Sequence, residues 1–173
     1  LNRGLWIIPP EIVKQLQTQG ITVHGVGLQG HNRMDWPSVA QQDSTIAAFA
    51  ALGVKVMITE LDIDVLPRAQ GVSGADVSQR SELRDRLNPY ATAIPDSVLA
   101  AQARRYRDLF AVYVKYRDVI SRVTFWGLRD GDSWLNDWPV RGRTSHPLLF
   151  DRQGRPKPAF GAILEVLRRP VVS

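Results

Sequence analysis

Side chains that could take part in catalysis follow each of three short apolar segments that we predict to be strands. Gln29 and His31 follow the first segment, and Glu60 and Asp62 follow the second. The third is followed by a polar and aromatic group made up of Trp126, Asp130, Asp132 and Trp134. Because catalytic groups of parallel α/β folds gather at the carboxyl ends of strands, we expect these residues to converge on one site. A carboxylate beside an imidazole can act as a nucleophile or bind a metal ion.

Less specific roles are open for the same residues. Glu60 could be a cap or a salt-bridge partner, His31 a hydrogen-bonded loop residue, and the tryptophans after the third segment core aromatics. His31, Glu60 and Asp62 could together hold a metal ion, but a catalytic zinc usually has more histidine ligands than one. Trp6, Trp36 and Trp138 have no motif support, and we expect core or loop packing for them. We expect His24 to be packed or on the surface, and His146 to be a loop residue before Pro147.

Helices and strands alternate along the chain. Apolar residues recur at helical spacing in several segments, and Gly20 and Gly53 stand where the first two helices would end. We predict helices over 10–19, Asp43–Leu52, Val98–Arg117 and Ala159–Arg168, and strands over Ile21–Leu28, Val54–Thr59 and Val123–Trp126. A segment rich in Pro, Gly and Ser is predicted to form a long loop over 67–96.

The predicted fold class is α/β. Strands that are nearly continuously apolar and separated by helices favour a parallel sheet covered by helices. The glycines at Gly-x-Gly-x-x-Gly spacing, Gly25, Gly27 and Gly30, begin inside the predicted first strand, and no such motif or phosphate-binding loop begins after a predicted strand. Polar side chains at several strand ends are instead typical of a (β/α) barrel.

Alternation along each strand predicts which side chains share a face of the sheet. If extended geometry continues past the first strand, Gln29 and His31 share a face with Gly25 and Gly27. The same rule places Glu60 and Asp62 with Val54, Val56 and Ile58, and Trp126 with Thr124.

Composition narrows the possible function classes. The chain has 173 residues, of which 44% are hydrophobic and 23% charged, as is ordinary for a globular domain. The net charge is +5, but the basic residues are scattered among acidic ones, which argues against nucleic-acid binding. No apolar run is long enough to predict a membrane span. The sequence contains no cysteine, which excludes disulfides and thiolate metal sites and leaves the compartment open.

Five short motifs occur in a fixed order along the chain. They are Gly-Leu-Gln-Gly-His at 27–31, Ile-Thr-Glu-Leu-Asp-Ile at 58–63, Val-Thr-Phe-Trp-Gly at 123–127, Asp-Gly-Asp-Ser-Trp-Leu at 130–135 and Pro-Leu-Leu-Phe-Asp at 147–151. Their order and spacing resemble the C-terminal part of glycoside hydrolase family 10, the endo-1,4-β-xylanases. The resemblance extends from about Pro10 to Phe160.

This resemblance implies a (β/α)8 TIM barrel that hydrolyses xylan with retention of configuration and without a metal or cofactor. Retaining hydrolysis uses a carboxylate nucleophile and a carboxylic acid about 5 to 5.5 Å apart. Glu60 matches the family's nucleophile. His31 and Asp62 match an imidazole and its supporting carboxylate, which would keep the nucleophile ionised and oriented. Sugar-contacting positions are matched by Gln29, Trp126 and Trp134. We expect the indole N–H groups of the two tryptophans to be free to donate to the sugar.

The resemblance covers only part of such a barrel. A (β/α)8 barrel has about 250 residues, whereas we predict three strand-helix units, so that 1–173 would be the C-terminal part of one catalytic domain. The family's acid/base glutamate follows an Asn. No Asn-Glu pair occurs here among the glutamates, which are Glu11, Glu60, Glu82 and Glu165. We therefore expect an N-terminal barrel fragment or a second chain to complete the site.

Two functions stay open on the sequence. In the first, the chain is part of a retaining xylanase that acts on xylan or xylo-oligosaccharides. In the second, it is a carbohydrate-binding or structural remnant without catalytic activity. A sequence truncated from a longer polypeptide would agree with the first. Intact Glu60, His31 and Asp62 favour the enzyme, because a binding module has no need of them. The family is mostly secreted, which favours a secreted or periplasmic location.

Overall fold

A computed structural model describes residues 9–67, 86–138 and 141–168. Trp6, Glu82 and most of the predicted loop over 67–96 lie outside the described residues. The helices are α1 (Pro10–Thr18), α2 (Val39–Ala51), α3 (Asp96–Lys115) and α4 (Pro158–Arg168). The strands are β1 (Gly25–Leu28), β2 (His31–Arg33), β3 (Lys55–Asp64) and β4 (Ile120–Phe125). Two short 3-10 turns follow β4, at Asp130–Asp132 and Trp134–Asn136.

Helix α2 begins four residues earlier than its apolar periodicity predicts, because a local signal fixes its first turn. The hydroxyl of Ser38 accepts a hydrogen bond from the Gln41 backbone N–H, and the Gln41 side chain accepts one from the Ser38 N–H. This capping box starts α2 at Val39 instead of Asp43. Among the described residues, no helix is long and apolar enough to cross a membrane.

The strands form one parallel arrangement around β3. β1 and β2 pair in succession with β3, and β4 pairs with β3 as well, all in parallel register. The predicted α/β class with a parallel sheet is therefore confirmed, and the arrangement is that of part of a (β/α) barrel. Several strand boundaries were wrong: residues 21–24 precede the first strand, the second strand runs on from Thr59 to Asp64, and the third begins at Ile120 instead of Val123.

A register shift in β3 changes which residues share a face. Leu28 pairs with Ile58, but His31 pairs with Asp62, so β3 has one residue more than its neighbour over this stretch. A Cβ added at Gly30 would lie 2.9 Å from Ile58 Cγ2 and 3.3 Å from Leu61 Cβ, which places Ile58 and Leu61 on one face. The expectation that Glu60 shares a face with Val54, Val56 and Ile58 is therefore wrong, because the bulge turns Glu60 and Asp62 to the opposite face.

The hydrophobic core lies between the sheet and the helices. Val56, Ile58, Leu61 and Ile63 of β3 are all fully buried in it. From the helices it receives mainly Ile46 and Phe49 of α2, Tyr106 and Leu109 of α3, and Ile163 of α4. The helices thereby fix β3 on one face and leave its other face to the polar residues at its carboxyl end.

Candidate active site

His31 lies between two carboxylates at the carboxyl end of the sheet. Its Nδ1 is 3.0 Å from Asp62 Oδ2, and its Nε2 is 2.8 Å from Glu60 Oε2. His31 opens β2 and pairs in register with Asp62, while Glu60 stands two residues earlier on β3. The sequence placed these three residues in loops after strands. In the structure they lie on strands, which hold their side chains more rigidly than loops would.

Both oxygens of Glu60 have hydrogen-bond partners. Gln29 Nε2 donates to Glu60 Oε1 over 3.2 Å, and His31 lies against Oε2. The Glu60 side chain keeps 21% of its surface exposed, so a ligand can still approach it. Gln29 and His31 alternate with the buried Leu28, Gly30 and Asn32, as predicted for that strand. The shift in β3 brings Glu60 to the same face as these two residues.

The carboxylates determine the protonation of His31. Partial burial lowers the pKa of this imidazole, but the hydrogen bonds and charges of Asp62 and Glu60 outweigh it and raise the pKa above its ordinary value of 6.5. When it is protonated, the ring has a proton on each nitrogen and can donate to both carboxylates at once. The imidazole thus links the buried Asp62 to the accessible Glu60.

Trp134 and Trp126 stand beside His31, as the sequence predicted. The Trp134 and His31 ring centroids are 4.9 Å apart, and those of Trp126 and His31 are 6.3 Å apart. Trp126 is 46% exposed and Trp134 38%, so neither is a core aromatic. The expectation that the Trp134 N–H is free for a sugar was wrong, because its Nε1 donates to Asp62 Oδ2 over 2.9 Å.

A buried ion pair fixes the loop that carries Trp134. Asp130 is fully buried, and its Oδ2 lies 3.1 Å from the Lys157 Nζ. Asp130 Oδ1 accepts a hydrogen bond from the Leu148 backbone N–H, and Lys157 also donates to the carbonyls of His146 and Leu148. Burial lowers the pKa of Lys157, against the opposing charge of Asp130. The turn before Trp134 is thereby tied to the segment preceding α4.

Asn136 closes the same loop from its other end. Its Nδ2 donates to the carbonyls of Asp130 and Ser133, each over 2.9 Å, and its Oδ1 accepts from the Ser145 backbone N–H. Sequence analysis assigned no role to Lys157 or Asn136, and no spacing in the sequence pointed to them. Their function is visible only through the backbone groups that they contact.

The other candidates from the sequence are His146, Trp36 and Trp138. They lie away from His31 or reach it only through another side chain. His146 is a loop residue, as expected, with its Nδ1 3.7 Å from Asp130 Oδ2, and Trp36 is half-buried. Trp138 was expected to pack, but 59% of it is exposed. Within the described ranges, no group of three or more His, Asp or Glu side chains is arranged to hold a metal ion.

The chain matches a family model over most of its length. The model for glycosyl hydrolase family 10 matches residues 7–166. Among curated proteins, the endo-1,4-β-xylanase A of Xylanibacter ruminicola is 40% identical over 156 residues, which cover 90% of this chain and 42% of that protein. An endo-1,4-β-xylanase of Geobacillus stearothermophilus is 38% identical over 90% of this chain and 42% of its own length. The chain thus spans about two fifths of these relatives.

Solved structures agree with the family model. A GH10 endoxylanase retrieved from a sugarcane soil metagenome has 42% identity and a TM-score of 0.80, covering 91% of this chain and 43% of that one. The Thermobacillus composti GH10 xylanase has 38% identity and a TM-score of 0.74, covering 91% of this chain and 46% of that one. The sequence motifs, the paired carboxylates around His31 and these matches lead to one conclusion: the chain belongs to glycosyl hydrolase family 10.

Proposed function

We propose that this chain carries the nucleophile of a retaining endo-1,4-β-xylanase, and that Glu60 is that nucleophile. A carboxylate oxygen of Glu60 attacks the anomeric carbon of a xylose unit as the glycosidic bond breaks and an acid protonates the departing oxygen. Water then cleaves the glycosyl ester, giving its proton to the same group, now a base, and restoring the Glu60 carboxylate. The product keeps the β configuration because the carbon has been inverted twice.

The observation that carries this proposal is that each oxygen of the Glu60 carboxylate has a side-chain hydrogen-bond partner. Gln29 donates to one oxygen and His31 lies 2.8 Å from the other, while part of the side chain stays exposed. The relatives that match this chain are named as xylanases, which supplies the substrate class.

His31 and Asp62 act as positioning residues for Glu60. Asp62 is 1% exposed, and its Oδ2 fixes the His31 ring through Nδ1. The opposite nitrogen then points at Glu60 Oε2 and fixes the rotamer of the carboxylate. When negative charge leaves Glu60 in the covalent intermediate, the charge of Asp62 remains to stabilise the imidazolium.

The proposed substrate is xylan or a xylo-oligosaccharide, bound without a metal or other cofactor. The exposed rings of Trp126 and Trp134 offer flat apolar faces to the C–H surface of a xylose unit. Gln29 Nε2 has a second hydrogen that is free to reach a sugar hydroxyl while the first is donated to Glu60.

The acid/base carboxyl group is proposed to come from outside these 173 residues. Among the described residues, the other glutamates are Glu11 on α1 and Glu165 on α4, and both are exposed on helices. Glu82 lies outside the described residues. The chain spans 42% of the length of a curated relative. An N-terminal barrel fragment or a second chain is proposed to supply the partner acid, at about 5 to 5.5 Å from Glu60.

Covalent trapping tests the assignment of the nucleophile. Incubation with 2,4-dinitrophenyl 2-deoxy-2-fluoro-β-xylobioside should release 2,4-dinitrophenolate and add the mass of one 2-deoxy-2-fluoroxylobiosyl group to the protein, and peptide mapping should place that group on Glu60. The activated leaving group needs little acid assistance, so the test does not depend on the partner acid. The matched control is Glu165→Gln, which should label like the wild type, whereas Glu60→Gln should not label.

The same experiment separates the enzyme from a carbohydrate-binding remnant. A remnant would bind xylo-oligosaccharides through its tryptophans and yet acquire no covalent label. Label on any residue other than Glu60 would overturn the assignment, and a folded protein that binds the sugar without labelling would favour the remnant.

A further inference from the structure

Four aromatic rings form a continuous row that starts at the proposed reaction centre and ends at Trp138. The row runs from Trp126 to His31 to Trp134, with centroid distances of 6.3 and 4.9 Å. Trp138 extends it, with its ring centroid 6.4 Å from that of Trp134 and the two planes only 21° apart. The nearly parallel orientation means that both indoles present their faces in similar directions.

Trp138 is the most exposed of the tryptophans in the described part of the chain. It is 59% exposed, compared with 46% for Trp126 and 38% for Trp134. A single exposed apolar residue is common on protein surfaces and needs no explanation. Trp138 differs from such a residue because its ring continues an aromatic row that already contacts His31.

A buried arginine donates a hydrogen bond to the backbone of Trp138. Arg143 is 4% exposed, and its Nη1 donates to the Trp138 carbonyl over 3.1 Å. The same guanidinium donates from Nε to the Leu87 carbonyl and from Nη2 to the Pro67 carbonyl. Its countercharge is Asp64, 3.9 Å from Nη2, at the end of the strand that carries Glu60.

This anchoring gives Trp138 a fixed position relative to Glu60. A buried cation is costly unless it is paired and hydrogen-bonded, so Arg143 cannot leave its partners easily. An exposed ring on a backbone held by such a contact loses less conformational entropy when a ligand binds to it than a ring on an unsupported loop would. The combination of exposed face and fixed backbone is suited to binding rather than to packing.

We propose that Trp138 is a sugar-binding platform for a xylose unit of the substrate lying beyond the unit that contacts Trp134. The inference rests on the proposed xylanase function and extends it by a subsite. The apolar C–H face of the pyranose would lie on the indole of Trp138, and its hydroxyls would remain in water. The occupant would be a chain of several sugar units, because the row includes His31, which contacts Glu60, and extends through Trp134 to Trp138.

Binding measurements with ligands of different length test this platform. Calorimetric titrations with xylobiose and xylohexaose would be made in a Glu60→Gln background, in which the ligand is not consumed. Trp138→Ala should bind xylohexaose about tenfold more weakly, and the loss for xylobiose should be smaller. Trp138→Phe should recover part of the affinity, because a smaller aromatic face remains. The control is Leu167→Ala, which removes an exposed apolar side chain on α4 and should leave both affinities unchanged.

The possible results separate the platform from the proposed function. If wild-type protein labels at Glu60 but Trp138→Ala binds xylohexaose as well as the control, the platform is overturned and the nucleophile stands. If Trp138→Ala lowers the unfolding temperature without changing the ratio of the two affinities, the ring packs against another part of the protein, and the inference is wrong. If wild-type protein neither labels at Glu60 nor binds xylo-oligosaccharides, both proposals fail.

Discussion

The indole Nε1 of Trp134 donates a hydrogen bond of 2.9 Å to Oδ2 of Asp62, the oxygen that also contacts His31. Trp134 belongs to the loop after β4, and Asp62 to β3. The hydrogen bond therefore connects two separate elements of the barrel wall through one carboxylate oxygen. It continues through the His31 imidazole to Glu60, so the position of the loop and the orientation of the proposed nucleophile are coupled.

The Trp134→Phe variant tests this coupling. Phenylalanine keeps an aromatic face for a sugar but lacks the N–H that reaches Asp62. A hydrogen bond to a charged group contributes about 1.5–3 kcal/mol, so kcat/KM should fall by about tenfold to a hundredfold, mainly in kcat. Steady-state kinetics on an aryl xylobioside would measure it. If the variant retained wild-type kcat and changed only KM, Trp134 would be a sugar contact without a role in holding Asp62.

The titration of His31 reports the two carboxylates around it. Burial lowers the pKa of His31, but Asp62 and Glu60 raise it to a value above 6.5. NMR of labelled imidazoles should give such a value in the wild type and a lower one in Asp62→Asn. An unchanged pKa of His31 in Asp62→Asn would contradict the contact between the two residues.

The raised pKa of His31 also predicts the direction of a stability change with pH. A group whose folded-state pKa lies above its unfolded value of 6.5 stabilises the fold fully below that value. The stabilisation is lost as the pH rises through the folded-state pKa. The difference in unfolding free energy between wild type and His31→Gln should therefore shrink on going from acidic to alkaline pH. Chemical denaturation at several pH values measures it, and a difference that grew with pH would show that the sign is wrong.

Gly30 lies between Gln29 and His31, in the short connection from β1 to β2. A Cβ at this position would lie 2.9 Å from Ile58 Cγ2 and 3.0 Å from the Leu61 backbone. Gly30→Ala should therefore separate the strands, destabilise the protein by about 1–3 kcal/mol and lower activity by moving His31. Gly161→Ala is the matched control, because nothing lies within 4 Å of its added Cβ and it stands in α4. Equal stability of both variants in urea would contradict the close packing at Gly30.

The buried pair of Asp130 and Lys157 should contribute strongly to stability. Lys157→Met leaves a buried carboxylate without its countercharge and frees two carbonyls, which should cost about 3–5 kcal/mol of unfolding free energy. Lys115→Met removes an exposed ion pair with Asp43 and should change stability far less. Urea denaturation compares the two lysines directly. Comparable small losses would mean that Lys157 does not hold the loop of Trp134.

Much of the fold follows from patterns that are local in the sequence. The helical periodicity around Tyr106 and Leu109 and the apolar strands at Val56 and Ile58 depend on neighbours only a few residues away. The strand end at Thr59 was misplaced because Glu60, Asp62 and Asp64 are polar. The strand continues to Asp64 because β2 pairs with Asp62, Ile63 and Asp64, which are contacts between residues about thirty positions apart.

The sequence predicted which side chains gather around His31 but not how they are arranged. Motifs identified Gln29, His31, Glu60, Asp62 and the two tryptophans that the structure brings together. The bulge in β3, the hydrogen bond from Trp134 to Asp62 and the support from Lys157 depend on contacts between distant segments. No periodicity or spacing encodes such contacts, so sequence reasoning assigned Glu60 to the wrong face and left the Trp134 N–H unpaired.

The central claim is that Glu60 forms the covalent bond to the sugar, and azide rescue of Glu60→Ala tests it most directly. The substrate is a 2,4-dinitrophenyl β-xylobioside, whose 2,4-dinitrophenolate group leaves without acid assistance. Azide fits the space vacated by the carboxylate. We expect azide to restore cleavage and to yield the α-configured xylobiosyl azide, because a single displacement inverts the anomeric carbon. Its configuration is read from the anomeric proton coupling by NMR. A β-configured azide, or no rescue of a correctly folded variant, would contradict the assignment of Glu60.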